Sequence, residues 1–398
     1  MNDDERNIKI LAPASTASRV SRRAFLGGSA VAVFSGGVLL AACGSPDDTG
    51  VATSPTGVGG GASPVLEDQL HLYNWAAYDD PKLLKQFTEE FGPATTVDVY
   101  NSMEEAIAKL VAAAGTSGYD LICPTGIYIP QMSQLGLLEE LDMSKIPNFA
   151  NIDAAYTKQA WDPTNTYTVC KDWGSTGWIY DTTQIKRDIL TWNDFIDVSM
   201  NEASGNLSVL DTPTEGLPEI YFFANGIDWT TEDPADLDAF EAWAVDEMSP
   251  HIKGFNSYPG IQLTQGDFAL SQIWNGDARQ GLLSAPDPSR YKWGLGAPLT
   301  ELWMDNWAIL KGAPNPEAAY AWINHILDPE ISVKDLAYHG YNTGIKGVQP
   351  AAEAAGLEFL DLVFFDEAQV ATFRAGAVNS AQQRLVEIFD KCKAAAGA

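Results

Sequence analysis

The sequence of 398 residues is 45% hydrophobic and 11% aromatic, and its formal net charge is -29 at pH 7. A chain of this length is too long to fold around one compact core, so we expect two lobes. The acidity disfavours nucleic acid as a partner, because phosphate would be repelled and the sequence holds no basic cluster to receive it.

The beginning of the chain has the features of an export signal. Arg22 and Arg23 form a twin-arginine pattern, and an apolar run broken by glycines follows over residues 24–42. The run ends in Leu-Ala-Ala-Cys at Cys43, which resembles a bacterial lipobox whose thiol receives diacylglycerol. A transmembrane helix is the alternative, since the run nearly spans a bilayer. We predict a twin-arginine lipoprotein signal peptide over residues 1–42 and lipidation of Cys43.

The residues after Cys43 predict a flexible tether. Residues 43–65 are rich in Gly, Ser, Thr and Pro, and they lack the apolar side chains needed for a core. A coil of this length spans roughly 25 Å on average. We therefore expect an extracytoplasmic protein that is attached to the cell membrane through the lipid alone.

After the tether, predicted strands alternate with predicted helices, which is typical of sheets with helical crossovers. In the first half we predict strands at 69–75, 96–100 and 120–124 and helices at 81–91, 103–113 and 127–135. Residues 148–167 predict a surface loop, and residues 173–180 predict an extended crossing between the lobes. In the second half we predict strands at 207–210, 271–274, 291–296 and 302–310, and helices at 237–248, 316–327 and 377–393.

The sequence lacks the common motifs of catalysis and metal binding. It has no P-loop, no GxGxxG after a strand, no HExxH and no GxSxG, and its four histidines are not at metal-ligand spacing. The segment from Asp162 to Asn165 offers oxygens but lacks the spacing of a calcium loop. Paired acids, namely Asp211 with Glu215 or Asp305 with either of them, leave a two-carboxylate hydrolase open as an alternative. We predict no catalytic residue, no metal and no cofactor.

The cysteines leave two interpretations open. If Cys43 carries lipid, Cys123, Cys170 and Cys392 remain, and an odd number cannot all pair within the chain. Cys123 and Cys170 then either form a disulfide or stay buried thiols.

Aromatic residues recur where predicted strands end. Trp75 and Tyr78 follow the first strand, and similar rings stand near the ends of later strands or in a turn, namely Tyr128, Trp274, Trp303 and Tyr341. Each ring alone is explained by core packing. Because the carboxyl ends of strands in open α/β sheets face the crevice where ligands bind, we expect these rings to line one pocket.

Acids stand beside some of these rings, notably Asp305 and the segment that ends at Glu215. Flat aromatic walls suit the methylene chain of an alkylammonium ligand, and each well-placed ring adds a cation–π attraction of about 0.5–2 kcal/mol. Carboxylates replace the hydration that the charged ends lose. The pattern predicts a pocket for a small organic cation that is delivered without chemical change.

From Leu72 to its end, the chain resembles the spermidine/putrescine-binding proteins of bacterial ABC importers. The motifs that carry the resemblance are Tyr-Asn-Trp-x-x-Tyr at 73–78, Tyr-Asp-Leu at 119–121, Trp-Asn-Gly at 274–276, Trp-Met-Asp at 303–305 and Gly-Tyr at 340–341. The resemblance implies an α/β, two-lobed periplasmic-binding-protein-like fold of type II, in which each lobe is a mixed sheet flanked by helices. It also implies a cleft that closes on a polyamine by a hinge motion.

The resemblance implies a role for each matching residue. The aromatic walls are Trp75, Tyr78, Trp274, Trp303 and Tyr341, with Tyr128 nearby; Glu215 and Asp305 hold ammonium groups, and Thr125 supplies a hydroxyl. The implied lobes are residues 66–175 with 304–349 and residues 176–303 with 350–398, with crossings near 173–176, 304 and 347–351. The implied partners are a polyamine and the permease subunits of an ABC importer, and we expect a monomer that is not an enzyme.

Four positions depart from the family pattern. Ala77 and Thr212 stand where acids are common, Ile127 replaces an aromatic wall, and Arg374 lies where a polar glutamine is expected. These departures remove groups that match spermidine and leave open a shorter diamine, or an amine whose carboxylate pairs with Arg374. Three further interpretations stay open, namely a solute-binding protein for a sugar or an opine-like compound, a surface hydrolase and an adhesive lipoprotein.

Overall fold

The computed structural model describes residues 65–397. The predicted signal peptide, the lipidation site at Cys43 and the predicted tether up to residue 64 lie outside the described residues. No helix within the described part is long and apolar enough to cross a membrane.

The chain forms eleven strands within these residues. They are β1 (Gln69–Trp75), β2 (Ala94–Tyr100), β3 (Leu121–Ile122), β4 (Thr168–Gly174), β5 (Thr176–Asp181), β6 (Leu207–Val209), β7 (Ile252–Phe255), β8 (Leu270–Trp274), β9 (Tyr291–Leu295), β10 (Thr300–Ile309) and β11 (Phe373–Ala375). The first sheet has the order β11-β10-β3-β1-β2, with β4 also pairing with β10, and the second has the order β7-β6-β8-β5-β9. Both sheets contain parallel and antiparallel pairs.

Helices flank both sheets. They are α1 (Pro81–Phe91), α2 (Met103–Ala113), α3 (Ile129–Gln134), α4 (Trp192–Met200), α5 (Leu217–Asn225), α6 (Pro234–Ala242), α7 (Gly260–Thr264), α8 (Asn275–Ser284), α9 (Pro316–Ile326), α10 (Pro329–His339), α11 (Val348–Ala354), α12 (Glu367–Val370) and α13 (Gln382–Ala396). The predicted α/β class with two mixed sheets flanked by helices is confirmed.

The predicted bounds of β1, α1 and α2 agree with the structure, because local signals fix them. Asp80 caps α1 and Pro81 begins it, whereas Ser102 caps α2. The predicted strand at 120–124 is reduced to β3, and the carboxylate of Asp120, just before it, accepts hydrogen bonds from the backbone N–H groups of His71 and Asn315.

Two helix predictions and one loop prediction need correction. The helix predicted at 377–393 begins only at Gln382, since the side chain of Asn379 accepts a hydrogen bond from the backbone of Ala381 and donates one to Thr230. The helix predicted at 237–248 starts earlier, as α6, and passes into a π-helical turn at Trp243–Met248. The loop predicted at 148–167 contains two short 3-10 turns.

The chain passes between the sheets through short connections. Ser175 alone separates β4 of the first sheet from β5 of the second, and residues 296–299 lead back from β9 to β10. The two passages are tied together, because the hydroxyl of Ser175 donates to the carbonyl of Glu301 at 2.6 Å and the hydroxyl of Thr300 donates to the carbonyl of Thr176 at 2.6 Å. The predicted bounds of the two lobes stay a prediction.

A buried ion network joins β4 to α10 behind the first sheet. The Nζ atom of Lys171 lies 3.2 Å from Asp172 and 3.3 Å from Asp335, and all three side chains are almost fully buried. Burial alone would lower the pKa of Lys171, but the carboxylates of Asp335, Asp172 and Asp79 raise it, so the ammonium stays charged. The same ammonium lies 4.1 Å from the centre of the Tyr78 ring.

We predict that Lys171→Met lowers the free energy of unfolding by about 3–5 kcal/mol, because it leaves buried carboxylates without their cation. Urea unfolding at pH 7 measures the change. Lys311→Met is the matched control, since Lys311 forms an exposed ion pair with Glu139, and its loss should cost less than about 1 kcal/mol. Equal effects of the two substitutions would contradict the structural role of the network.

Candidate functional site

A cleft of about 720 Å³, a volume that includes the solvent at its mouth, lies where strands of both sheets end. Its lining residues follow the carboxyl ends of β1, β2 and β3 in the first sheet and of β6, β7 and β8 in the second. Two more lining residues lie within β10. The cleft is therefore formed by the edges at which α/β sheets present side chains to a ligand.

All nine residues that the sequence predicts for the site line this one cleft. They are Trp75, Tyr78, Thr125, Tyr128, Glu215, Trp274, Trp303, Asp305 and Tyr341. The interpretation that the rings serve only separate cores does not describe this arrangement. The role of these residues in binding a ligand stays a prediction.

The lining also contains residues that sequence reasoning missed. They are Asn101, Ser102, Met103, Glu104, Thr212, Pro213, Thr214, Ser257 and Tyr258. The first four follow β2, which was predicted, so the rule about strand ends would have found them. Ser257 and Tyr258 follow β7, a strand that gave no clear sequence pattern.

Asp305 lies at the buried end of the cleft. Thr125 donates a hydrogen bond to its Oδ1 atom at 2.6 Å, and the hydroxyl of Tyr78 lies 3.0 Å from its Oδ2 atom. The same hydroxyl also hydrogen-bonds Asp172. Burial raises the pKa of Asp305 to about 7, and the charge of Asp172 adds to the effect, although Thr125, Tyr78 and Lys171 oppose it. Close to neutral pH, the carboxyl of Asp305 therefore exists in both protonation states.

Glu215 stands across the cleft on the loop after β6. The hydroxyl of Thr212 accepts a hydrogen bond from the backbone N–H of Glu215 at 3.0 Å, and Gln272 donates to the Glu215 carbonyl at 3.0 Å. Thr212, which stands where an acid is common in the family, thus shapes the turn that presents Glu215. Burial and the nearby carboxylates of Glu301, Asp305 and Glu104 raise the pKa of Glu215 well above its usual value.

Aromatic rings form the walls of the cleft. The rings of Trp303 and Tyr341 meet edge to face with centroids 4.7 Å apart, and those of Tyr258 and Trp274 are 6.0 Å apart. Gly276 allows this packing, because a Cβ atom there would lie 2.3 Å from the Tyr341 ring. The walls are thus held by close packing and need no ligand to order them.

The charged residues that line the cleft are all acidic. Its lining includes the acids Glu104, Glu215 and Asp305, and no Lys, Arg or His is among the lining residues of the described chain. Arg374 does not line it, and its guanidinium donates instead to the carbonyls of Ala371 and Phe373. The cleft thus presents buried carboxylates and apolar rings without a cation to balance them.

Of the acid pairs suggested for a hydrolase, only Glu215 with Asp305 shares this cleft. Asp211 pairs with Lys393 and does not line the cleft, so the acid pair of Asp211 with Glu215 does not face a common space there. The carboxylate of Asp162 accepts hydrogen bonds from three backbone N–H groups of its own loop. Within residues 65–397, no group of three or more His, Cys, Asp and Glu side chains is placed to hold a metal ion.

The three cysteines within the described residues are free and buried. They are Cys123, Cys170 and Cys392. The interpretation of Cys123 and Cys170 as buried thiols is therefore confirmed, and the interpretation of a disulfide between them is wrong.

Comparisons of sequence place the chain among known proteins. Residues 82–358 match the family model described as bacterial extracellular solute-binding protein. The putrescine/agmatine-binding protein of Pseudomonas aeruginosa is 29% identical over 301 residues, which cover 72% of this chain and 81% of that protein. The spermidine/putrescine-binding periplasmic protein of Salmonella typhimurium is 31% identical over 281 residues, which cover 69% of this chain and 77% of that protein.

Comparisons of structure agree in fold. The spermidine/putrescine ABC transporter substrate-binding protein PotD of Streptococcus pneumoniae has a TM-score of 0.66 and 26% identity, with 83% of this chain and 100% of that chain covered. The substrate-binding protein MotA of A. tumefaciens, solved in complex with glucopine, has a TM-score of 0.62 and 18% identity, with coverage of 82% and 99%. The likeness to MotA shows the fold alone.

We predict that Asp305→Asn stabilises the ligand-free protein at pH 8 and that this gain fades below pH 5. The folded protein keeps the proton of Asp305 up to about pH 7, whereas the ordinary value is 3.8, so the wild type loses stability as pH rises between these values. Asparagine has no charge to bury, and the gain at pH 8 should reach at most about 4 kcal/mol.

Urea unfolding at both pH values measures this gain. Asp361→Asn, which removes an exposed acid that is not among the lining residues, is the control and should change stability by less than about 0.5 kcal/mol. A loss of stability in Asp305→Asn that is equal at both pH values would contradict the buried charge as the cause.

Proposed function

The chain belongs to the bacterial extracellular solute-binding proteins, and from this premise we propose that it captures a polyamine and delivers it to an ABC importer. The observation that carries the proposal is the lining of the cleft, which joins aromatic rings with three acids and contains no basic residue in the described chain. This lining favours a cationic ligand, because an anionic or zwitterionic one would place its own carboxylate against those of the cleft.

A linear diamine or triamine meets both demands of the cleft. Its methylene chain packs against rings such as Trp75, Trp274 and Trp303, and its ammonium groups gain cation–π attraction from the same rings. Its charged ends replace lost hydration with charge-assisted hydrogen bonds to Asp305 and Glu215. The names of the relatives from Pseudomonas aeruginosa and Salmonella typhimurium, which refer to putrescine, agmatine and spermidine, support this class of ligand.

An amine that also bears a carboxylate is a weaker candidate. Its carboxylate would need a basic partner, and Arg374, the residue suggested for that role, lies outside the cleft lining and is engaged with backbone carbonyls. The fold is shared with proteins solved with glucopine and named as a GABA receptor, so fold alone does not choose among these ligands. The charge of the lining favours the cationic ones.

We propose that binding occurs without chemical change and that the protein works as a monomer beside the permease subunits of the importer. The moving bodies are proposed as residues 66–175 with 304–349 and residues 176–303 with 350–398. Closure of these lobes would exclude water from the amine and strengthen its attraction to the carboxylates. We further propose export by the twin-arginine signal and a lipid anchor at Cys43, which keep the protein at the outer face of the cell membrane.

We predict that putrescine, spermidine, spermine or agmatine at micromolar concentration raises the Tm of the soluble domain. A ligand present at 100 times its Kd adds about 2.7 kcal/mol to the free energy of unfolding. Asp305→Asn should abolish most of the rise, whereas Asp361→Asn should retain it. The rise in wild type should also be larger at pH 8 than at pH 6, because a cation binds the ionised form of Asp305, whose pKa is about 7.

Differential scanning fluorimetry at the two pH values makes this measurement. The absence of a Tm rise with all four amines would refute the polyamine proposal. A rise that is unchanged in Asp305→Asn would remove Asp305 from the site.

A separate prediction concerns the anchor. Intact mass of the wild-type protein, extracted from membranes with detergent, should correspond to a chain that begins at Cys43 and carries diacylglycerol. Cys43→Ser should shift the protein out of the membrane fraction, and Cys392→Ser should not. Membrane protein that retains its first 42 residues would favour the transmembrane interpretation instead.

A further inference from the structure

Glu104 is an acid of the cleft that the family resemblance did not identify. It lies in the first turn of α2, where the free N–H groups of the helix stabilise a negative charge. Its side chain is 6% exposed and lines the cleft. A carboxylate buried to this degree is costly unless it is fully paired or unless it receives a partner from outside the chain.

The hydrogen bonds of Glu104 are unevenly divided between its two oxygens. The hydroxyl of Tyr128 donates to Oε1 at 2.8 Å, and the side-chain amide of Gln382 donates to the same atom at 2.7 Å. No residue of the described chain donates a hydrogen bond to Oε2. One oxygen is therefore held in a fixed position by two donors, while the other is left free in a side chain that lines the cleft.

The charges of Glu104 and of the two predicted acids act on one another. The pKa of Glu215 is raised by burial and then by Glu301, Asp305 and Glu104, so Glu215 lies in the field of both other cleft acids. The cleft thus holds three carboxylates, whereas a diamine brings only two positive charges. A ligand with three charged nitrogens would offer one to each of these acids.

We propose that Glu104 binds a third charged nitrogen through Oε2, so that the cleft prefers a triamine to a diamine. This inference rests on the proposed function and deepens it. Ala77 and Thr212 lack the acids that are common at their positions, and Glu104 supplies a carboxylate from a different strand end. The selectivity of this chain therefore depends on Glu104 rather than on those two positions.

The carboxylate of Glu104 also forms a hydrogen-bonded bridge between the cores of the two sheets. Its partner Tyr128 belongs to the core of the first sheet, whereas Gln382 opens α13, a helix whose residues pack in the core of the second sheet. A nitrogen bound at Oε2 would thus meet a carboxylate that already bridges both cores. This bridge fixes the carboxylate in the arrangement that brings the two cores together, which lowers the entropy cost of holding a ligand there.

Calorimetric titration of the soluble domain with putrescine and spermidine tests the proposal. Glu104→Gln keeps an oxygen that can accept from Tyr128 and Gln382, but it removes the charge. We expect its Kd for spermidine to rise about tenfold or more, as for loss of one charge-assisted hydrogen bond, and its Kd for putrescine to rise less than about threefold. Glu104→Ala, which removes the carboxylate without adding an amide, should give the same order of effects.

Glu105→Gln is the matched control. It removes the same charge from the next residue of α2, but Glu105 does not line the cleft and interacts with Asn101. Its affinities for both amines should equal those of the wild type. If Glu104→Gln weakens both amines by the same factor, or neither, the inference about Glu104 is overturned while the polyamine proposal stands. If the wild type binds neither amine, both are overturned.

Discussion

The cleft depends on a buried cation that is fully used before any ligand arrives. Lys171 compensates Asp172 and Asp335 behind the first sheet, and its ammonium lies against the ring of Tyr78. Tyr78 in turn hydrogen-bonds Asp172 on one side and Asp305 on the other. The network fixes the wall of the cleft, yet its one ammonium group is already paired with carboxylates behind the first sheet. The acids at the front have no basic residue beside them among the lining residues of the described chain, and the proposed preference for a cation rests on this difference.

The same constraint explains the protonation behaviour of the empty cleft. Carboxylates that are buried near one another cannot all be ionised without a counter-charge, so burial and mutual repulsion raise the pKa values of Glu215 and Asp305. A proton is the smallest available substitute for an ammonium group. The bound proton limits the electrostatic cost of the cleft without a ligand. A cation that binds there would take the place of that proton.

Much of this arrangement could be predicted from the sequence, because the signals were local or tied to strand ends. Caps at Asp80 and Ser102 fix the first two helices, and the aromatic residues at strand ends lead to the cleft. The same rule leads to Glu104, but the fixed position of its carboxylate could not be predicted, since its partner Gln382 is 278 positions away in the sequence. Likewise, nothing local indicates that Asn379 delays the last helix, because its contact at Thr230 exists only in the folded chain.

The passages between the sheets at Ser175 and Thr300 have a mechanical consequence. Side-chain hydroxyls tie the two passages, and β10 pairs with β11 from Thr300 and with β4 from Trp303. Rotation of the second sheet against the first would therefore bend the backbone at Ser175 and at residues 296–299, which belong to neither ladder. Sliding of one sheet along the other would instead break the hydrogen bonds of the Ser175 and Thr300 hydroxyls. A motion of this kind would turn the two sheets about one axis, so a partner that touches both of them would meet a different surface at each end of the motion.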